Sequence, residues 1–321
     1  MRVVLVTPAT PGSRQGNRVT AERWQRLLAA EGHEVRVAEA WSGERCDVLV
    51  ALHARKSAPS VRRYRSERPC APLVVALTGT DVYDDLAHDA EALAAVAAAD
   101  RLVALQPLAA AELPPEHRRK VRVIRQSASA VDPAQAGEPG SFAVCVLAHL
   151  RAVKDPLRAA RAARLLPRES RLVVWHAGGA LEPALGEEAR AEAAVNARYR
   201  WLGELPRERA LARLAGSRLL VVSSLLEGGA NVVSEAIAAG VPVLASRIPG
   251  SLGMLGADYP AYFPVGDTAA LAALLHRAET DAPWLDDLRA RCRALQPLVD
   301  PARERRAWRE LLAELSAGSA A

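Results

Sequence analysis

The chain has 321 residues, half of them hydrophobic, 4% aromatic, and carries a formal charge of +5. That length exceeds one ordinary domain and suits two, and a composition rich in alanine and leucine favours α/β layers over a β-sandwich. The positive excess is too small and diffuse for a nucleic-acid surface and points to an anionic small ligand. Nearly all of it is arginine, with lysine only at Lys56, Lys120 and Lys154. Cys46, Cys70, Cys145 and Cys292 lack C-x-x-C spacing and the histidines lack metal-ligand spacing. Free thiols in a reducing cytoplasm are therefore expected, with no protein-held metal or other cofactor. The opening MRVVLVTPAT reads as a strand and a loop rather than a signal peptide. No apolar run approaches the ~20 residues of a spanning helix, so a soluble protein without membrane insertion is expected.

In chain order, residues 2–7 read as a buried strand, 20–30 as an amphipathic helix carrying Trp24, Leu27 and Leu28, and 34–38 as a strand. The loop before the helix offers Gly16, where a ligand can approach the backbone, beside the polar Asn17 and Thr20. A plain turn at Gly16 and a plain N-cap at Thr20 explain the same residues. Strand 47–52 ends in His53, Arg55 and Lys56, and strand 72–77 ends in Thr78, Gly79, Thr80 and Asp81. Both ends therefore look like site loops. Arg62, Arg63 and Arg65 look like a solvated face. A helix over 91–99 and strands over 101–105 and 121–124 complete this half. Residues 131–141, rich in Pro, Gly and Ala, read as the linker. The domains expected are 1–136 and 137–300, with a last helical segment over 301–321.

The alternation restarts with strand 142–147, a polar stretch containing Arg151 and Lys154, helix 156–166 and strand 171–176 before Gly178-Gly179. Strand 199–202 and helix 207–214 follow, with later helices over 269–278, 284–295 and 303–315. Arg151 and Lys154, three apart at an expected helix start, can reach one face, and a fork-shaped cation beside a point charge suits a diphosphate. Residues 219–246 read as strand, loop, helix and parallel strand with a right-handed crossover. Glu227 lies in the loop and Glu235 on the helix, eight positions apart. The amides of Gly229, Ala230, Asn231 and Val232, after Gly228, can hold an anion, while carboxylates accept bonds from hydroxyls. A phosphorylated sugar or nucleoside fits both. A solvated Glu227 and an exposed Glu235 remain the plainer explanation.

Strand-x-R-x-x-K with Arg151 and Lys154, the turn Gly178-Gly179 and SSLLEGGANVVSEAIAAGVPVLAS, in that order, resemble the retaining GT-B glycosyltransferases over essentially the whole chain. The family's usual Gly-Arg before the lysine is here His149-Leu150-Arg151. The resemblance implies an α/β GT-B fold, two Rossmann-like doubly wound domains facing across a cleft. It implies that Arg151 and Lys154 hold the donor diphosphate, Glu227 contacts the donor sugar and Glu235 binds the ribose hydroxyls. It also implies that the Gly16-Asn17 loop closes over the phosphates and that the last helix crosses back onto the N-terminal domain.

The strings TPATPGSRQGNRVTAERW, LHARKSA and PLVVALTGTDVYDDL resemble the selenosugar synthases of selenoneine biosynthesis. That resemblance implies transfer from a UDP-sugar, UDP-N-acetylglucosamine or UDP-glucose, to selenophosphate. The acceptor would meet Asn17, Thr20, His53, Arg55, Lys56, Thr78 and Thr80, with His53 or Asp81 positioning it or the sugar. It also implies functional links to selenophosphate synthetase and to a downstream selenoneine synthase. Two alternatives stay open: a GT-B enzyme acting on a hydroxyl of a lipid or small metabolite, and a non-catalytic sensor of sugar nucleotides. No G-x-G-x-x-G follows any strand, which argues against a dinucleotide oxidoreductase.

Overall fold

A computed structural model describes residues 1–134 and 140–318. The expected boundary between residues 136 and 137, the middle of the 131–141 linker and residues 319–321 lie outside the described residues. The chain divides into two compact units. The first comprises Met1–Ser127, Glu227–Asn231 and the segment from Asp300 onward; the second comprises Ala128–Leu226 and Val232–Val299.

The first unit carries β1 (Arg2–Val6), β2 (Glu34–Ala38), β3 (Val48–Leu52), β4 (Leu73–Leu77), β5 (Arg101–Ala104) and β6 (Val121–Val123). All pair in parallel, in the order β2-β1-β3-β4-β5-β6. The central strands VLVAL and LVVAL are buried at every position, as an unbroken apolar run requires of a strand covered on both faces. One face packs Trp41, Tyr64, Val82 and Val96; the other packs Trp24 and Leu28 against Trp308, Leu311 and Leu312 of the Pro301–Gly318 helix. Trp24 and Trp308 meet edge to face with centroids 4.7 Å apart.

The second unit carries β7 (Phe142–Leu147), β8 (Leu172–Ala177), β9 (Tyr199–Trp201), β10 (Leu219–Val222), β11 (Val243–Ser246) and β12 (Tyr262–Phe263). They form a second parallel sheet in the order β12-β11-β10-β7-β8-β9. Strand order therefore reverses between β7 and β10, the place where open α/β sheets bind ligands beyond their carboxyl ends. His176, fully buried on β8, shares its Nδ1 with the Tyr199 hydroxyl and its Nε2 with the Ala148 carbonyl, both at 2.8 Å. Burial holds its pKa down to about 4, so it is a neutral core residue.

The parallel α/β fold is the one the alternation predicts, and most strands fall within a residue or two of their expected limits. The strand after Gly240, expected over 241–245, starts at Val243 because Pro242 has no N–H for the ladder. Gly240 ends the preceding helix at φ 67°. The Pro183–Val195 helix was not expected, since it buries only Gly186 and Ala189 and so shows no apolar stripe. Arg65 is not on a solvated face: it bonds the carbonyls of Pro69, Ala71 and Ala98 and the Asp100 carboxylate. Among the described residues no helix is long and apolar enough to cross a membrane. All four cysteines are free, and only Cys70 is exposed.

Candidate functional site

In the second unit, the segments after β7 and β10 leave neighbouring strands at the reversal of strand order. Leu225 N–H donates to the Val153 carbonyl at 2.9 Å. Ser223 Oγ donates to the carbonyls of Lys154 and Asp155 at 3.2 and 2.8 Å. The strand-end serine thus holds the lysine's backbone. The expected helix start is absent here. Arg151 instead precedes a single 3-10 turn, Ala152–Lys154, and Asp155 leaves it in the left-handed region at φ 42°. Asp155 is kept there by its carboxylate, which accepts from Arg158 Nε at 2.6 Å. Arg151 and Lys154 are half-buried at the two ends of that turn.

Glu235 is not the exposed helical residue of the plainer reading. It is 9% exposed on the Asn231–Ala239 helix, and Arg207 Nη2 donates to its Oε1 at 2.5 Å. Gly178 has a steric reason to be glycine, since a Cβ there would lie 1.8 Å from the Ala148 carbonyl oxygen. The Gly179 N–H donates to His149 Nδ1 at 3.1 Å, tying the β8 turn to the segment after β7.

In the first unit, Gly16 and Asn17 lie in the first turn of a helix, Gly16–Ala30, and not in the loop expected. The extended residue before it is Gln15, so Thr20 is no N-cap. It is buried, and its Oγ1 accepts from Gln126 Nε2 at 2.7 Å and Asn231 Nδ2 at 3.3 Å. Residues 227–231 belong to this unit. A Cβ at Gly228 would meet the Gly79 nitrogen at 2.7 Å, and one at Gly229 would meet Leu105 Cβ at 2.6 Å. Close packing thus accounts for both glycines without invoking an anion. Ala230 is buried beside them, while Glu227, Asn231 and Val232 are half-buried.

His53, directly after β3, is buried and held at φ 74°, a left-handed conformation uncommon outside glycine. Its Nδ1 faces the Lys56 N–H at 3.4 Å and its Nε2 faces Thr80 Oγ1 at 3.3 Å. Desolvation lowers its pKa, against the opposing pull of Asp81. Arg55 and Lys56 are exposed beside it. Asp81 is wholly buried and caps the turn: its carboxylate accepts from the amides of Ala54 at 3.0 Å, Thr78 at 3.1 Å and Gly79 at 2.7 Å. It holds the two strand ends together and has little left for a ligand.

Three participants escaped the sequence reading. Asp85 is 8% exposed, sits 3.8 Å from His53 Nε2 and pairs with Arg55 Nε at 3.0 Å. It closes a π-helical turn, Asp81–Asp85, a deviation common at functional sites. Arg23 and Glu304, 281 positions apart, form a buried ion pair. Asp85 stands in a run of acids that any surface turn would explain. Nothing local announces the other two.

The family description "Glycosyl transferases group 1" matches residues 131–294, more than half of the chain. Among solved structures, the chain is similar to a sucrose-phosphate synthase from Thermosynechococcus elongatus at 17% identity and TM-score 0.81, covering 98% of this chain and 99% of that one. It is also similar to HepE from Anabaena, solved with UDP and glucose, at 15% identity and TM-score 0.78, covering 98% and 100%. An alpha,alpha-trehalose-phosphate synthase (UDP-forming) from Burkholderia vietnamiensis matches at 17% identity and TM-score 0.69, over 95% and 78%. These likenesses carry the GT-B fold, and with the family match they identify the chain as a member of the group 1 glycosyl transferases.

Proposed function

We propose that this glycosyltransferase moves a sugar from a UDP-sugar, UDP-N-acetylglucosamine or UDP-glucose, to selenophosphate. The observation that carries its donor half is the convergence, at the strand-order reversal of the second unit, of the segment bearing Arg151 and Lys154 with residues 223–225 after β10. The UDP and glucose bound by HepE support a UDP-sugar as donor. In this scheme Arg151, Lys154 and the amides of Gly229, Ala230, Asn231 and Val232 meet the charge that develops on the departing diphosphate. Glu227 contacts the donor sugar. Glu235, oriented by Arg207, accepts from the ribose hydroxyls. No metal or other cofactor enters, because protein cations and amides supply the neutralising charge.

The exposed Arg55 and Lys56, beside His53, Thr78 and Thr80, support a small polyanionic acceptor, and the Gly16, Asn17 and Thr20 end of the first helix adds polar groups. The anionic selenium attacks the anomeric carbon, the carbon–oxygen bond to UDP breaks, and UDP leaves with the electron pair. Hydrolysis of the selenium–phosphorus bond then gives phosphate and a selenol sugar. A selenophosphate synthetase would supply the acceptor, and a selenoneine synthase would consume the product.

A second reading rests on Asp85, whose Oδ2 is buried without a hydrogen-bond partner. A carboxylate oxygen in that state suits the hydroxyl of a sugar or small metabolite. Titration with UDP tests the donor half: Lys154→Ala and Glu235→Gln should each bind at least about tenfold more weakly than wild type. Equal affinity in both variants would contradict the assignment. Asp85→Asn separates the acceptors. It should leave KM for selenophosphate unchanged or lower, whereas a hydroxyl acceptor would lose binding.

A further inference from the structure

Glu304 lies on the Pro301–Gly318 helix with its side chain wholly buried. Its carboxylate accepts from Arg23 Nε at 3.0 Å, Trp24 Nε1 at 2.7 Å and the Ser127 amide at 2.8 Å, and from the Ser127 hydroxyl. A buried charge persists only when its partners are this complete. Arg23 is itself 9% exposed and uses its fork in two directions. Nε faces Glu304, and Nη1 donates to Asn231 Oδ1 at 2.7 Å. The other side of the Asn231 amide donates from Nδ2 to Thr20 Oγ1 at 3.3 Å, and Thr20 is fixed in turn by Gln126. All of these residues belong to the first unit.

Asn231 is both the last residue of the 227–231 segment and the first of the Asn231–Ala239 helix. We infer that Arg23 is a positioning residue for the donor loop: Glu304 fixes its guanidinium, and Arg23, acting through Asn231, fixes the 227–231 segment and the amides that open the helix. The inference rests on the proposal that those amides hold the donor diphosphate. A lysine at 23 could keep charge beside Glu304, but one ammonium lacks the rigid, two-directional reach that the Asn231 contact requires.

UDP titration of wild type, Arg23→Lys, Asn231→Ala and the double variant, with a melting curve for each, tests this. Asn231→Ala keeps every Glu304 contact but removes the partner of Arg23 Nη1, so it should melt somewhat below wild type and bind UDP about tenfold more weakly because the 227–231 segment loses its anchor. Arg23→Lys should weaken UDP by a similar factor. The double variant should be no worse than either single one, because both break the same link. A merely structural arginine would lower the melting temperature but leave UDP affinity unmoved. If wild type binds UDP and Asn231→Ala binds it equally well, or the two effects multiply, the positioning role is wrong while the donor proposal stands. Absence of UDP binding by wild type would overturn both.

Discussion

Gly178, Gly228 and Gly229 show how a glycine-rich motif can serve packing before it serves a ligand. At Gly178 the obstacle is a backbone carbonyl 1.8 Å from the would-be Cβ, so no rotamer relieves it. Gly178→Ala should therefore destabilise the protein by about 3 kcal/mol, read as a lower denaturant midpoint with an unchanged slope. A midpoint equal to wild type would mean that the β8 turn relaxes freely. The glycines were visible in the sequence, but the reason for them was not, since it lies in Ala148, Thr78, Gly79 and Leu105. Glu235 was legible as a candidate from its spacing, yet its burial and its pairing with Arg207 needed the fold. Arg23 and Glu304 were illegible because a chain otherwise rich in arginine and glutamate gives neither residue a distinguishing neighbourhood.

The alternating apolar runs and polar loops made most strands and helices readable, because a strand covered on both faces must be apolar throughout. Elements without a strong apolar face, such as the Pro183–Val195 helix and the two-residue β12, left no such trace. The Arg151–Lys154 stretch was read as lying at the start of the helix expected over 156–166. The left-handed Asp155, paired with Arg158, breaks the path.

The Pro301–Gly318 helix is held at its far end by Glu314, which accepts from Arg101 Nε at 2.8 Å and Arg122 Nε at 3.0 Å. The Arg122 and Arg101 hydrogen bonds lower the Glu314 pKa from 4.5 to about 2. A carboxyl depressed on folding contributes stability above its unfolded pKa and loses it as pH falls through the folded value. The contribution should thus be intact above pH 4.5 and disappear toward pH 2. Glu314→Gln should reduce stability modestly at pH 7 and flatten the acid limb of the unfolding curve. An acid limb identical to wild type would exclude this contact as its source. The pair is about one-third exposed, so salt should weaken it.

At the scale of the molecule, two parallel sheets, each reversing strand order once, place loops rich in cations, hydroxyls and amides at the carboxyl ends of β3, β4, β7 and β10. This architecture was legible because it follows from alternation and length. In the proposed reading the acceptor is selected by a few side chains around His53, where Arg55 and Lys56 favour an anion and Asp85 Oδ2, which has no hydrogen-bond partner, favours a hydroxyl. Selenophosphate-dependent release of UDP from UDP-N-acetylglucosamine is the most direct measurement, with phosphate and thiophosphate run beside it and the sugar product weighed by mass spectrometry. The account predicts release that requires selenophosphate, a selenium-bearing sugar, and turnover reduced at least about a hundredfold in a folded Lys154→Ala variant. No release with UDP-N-acetylglucosamine or UDP-glucose, or release that selenophosphate does not raise, would contradict it.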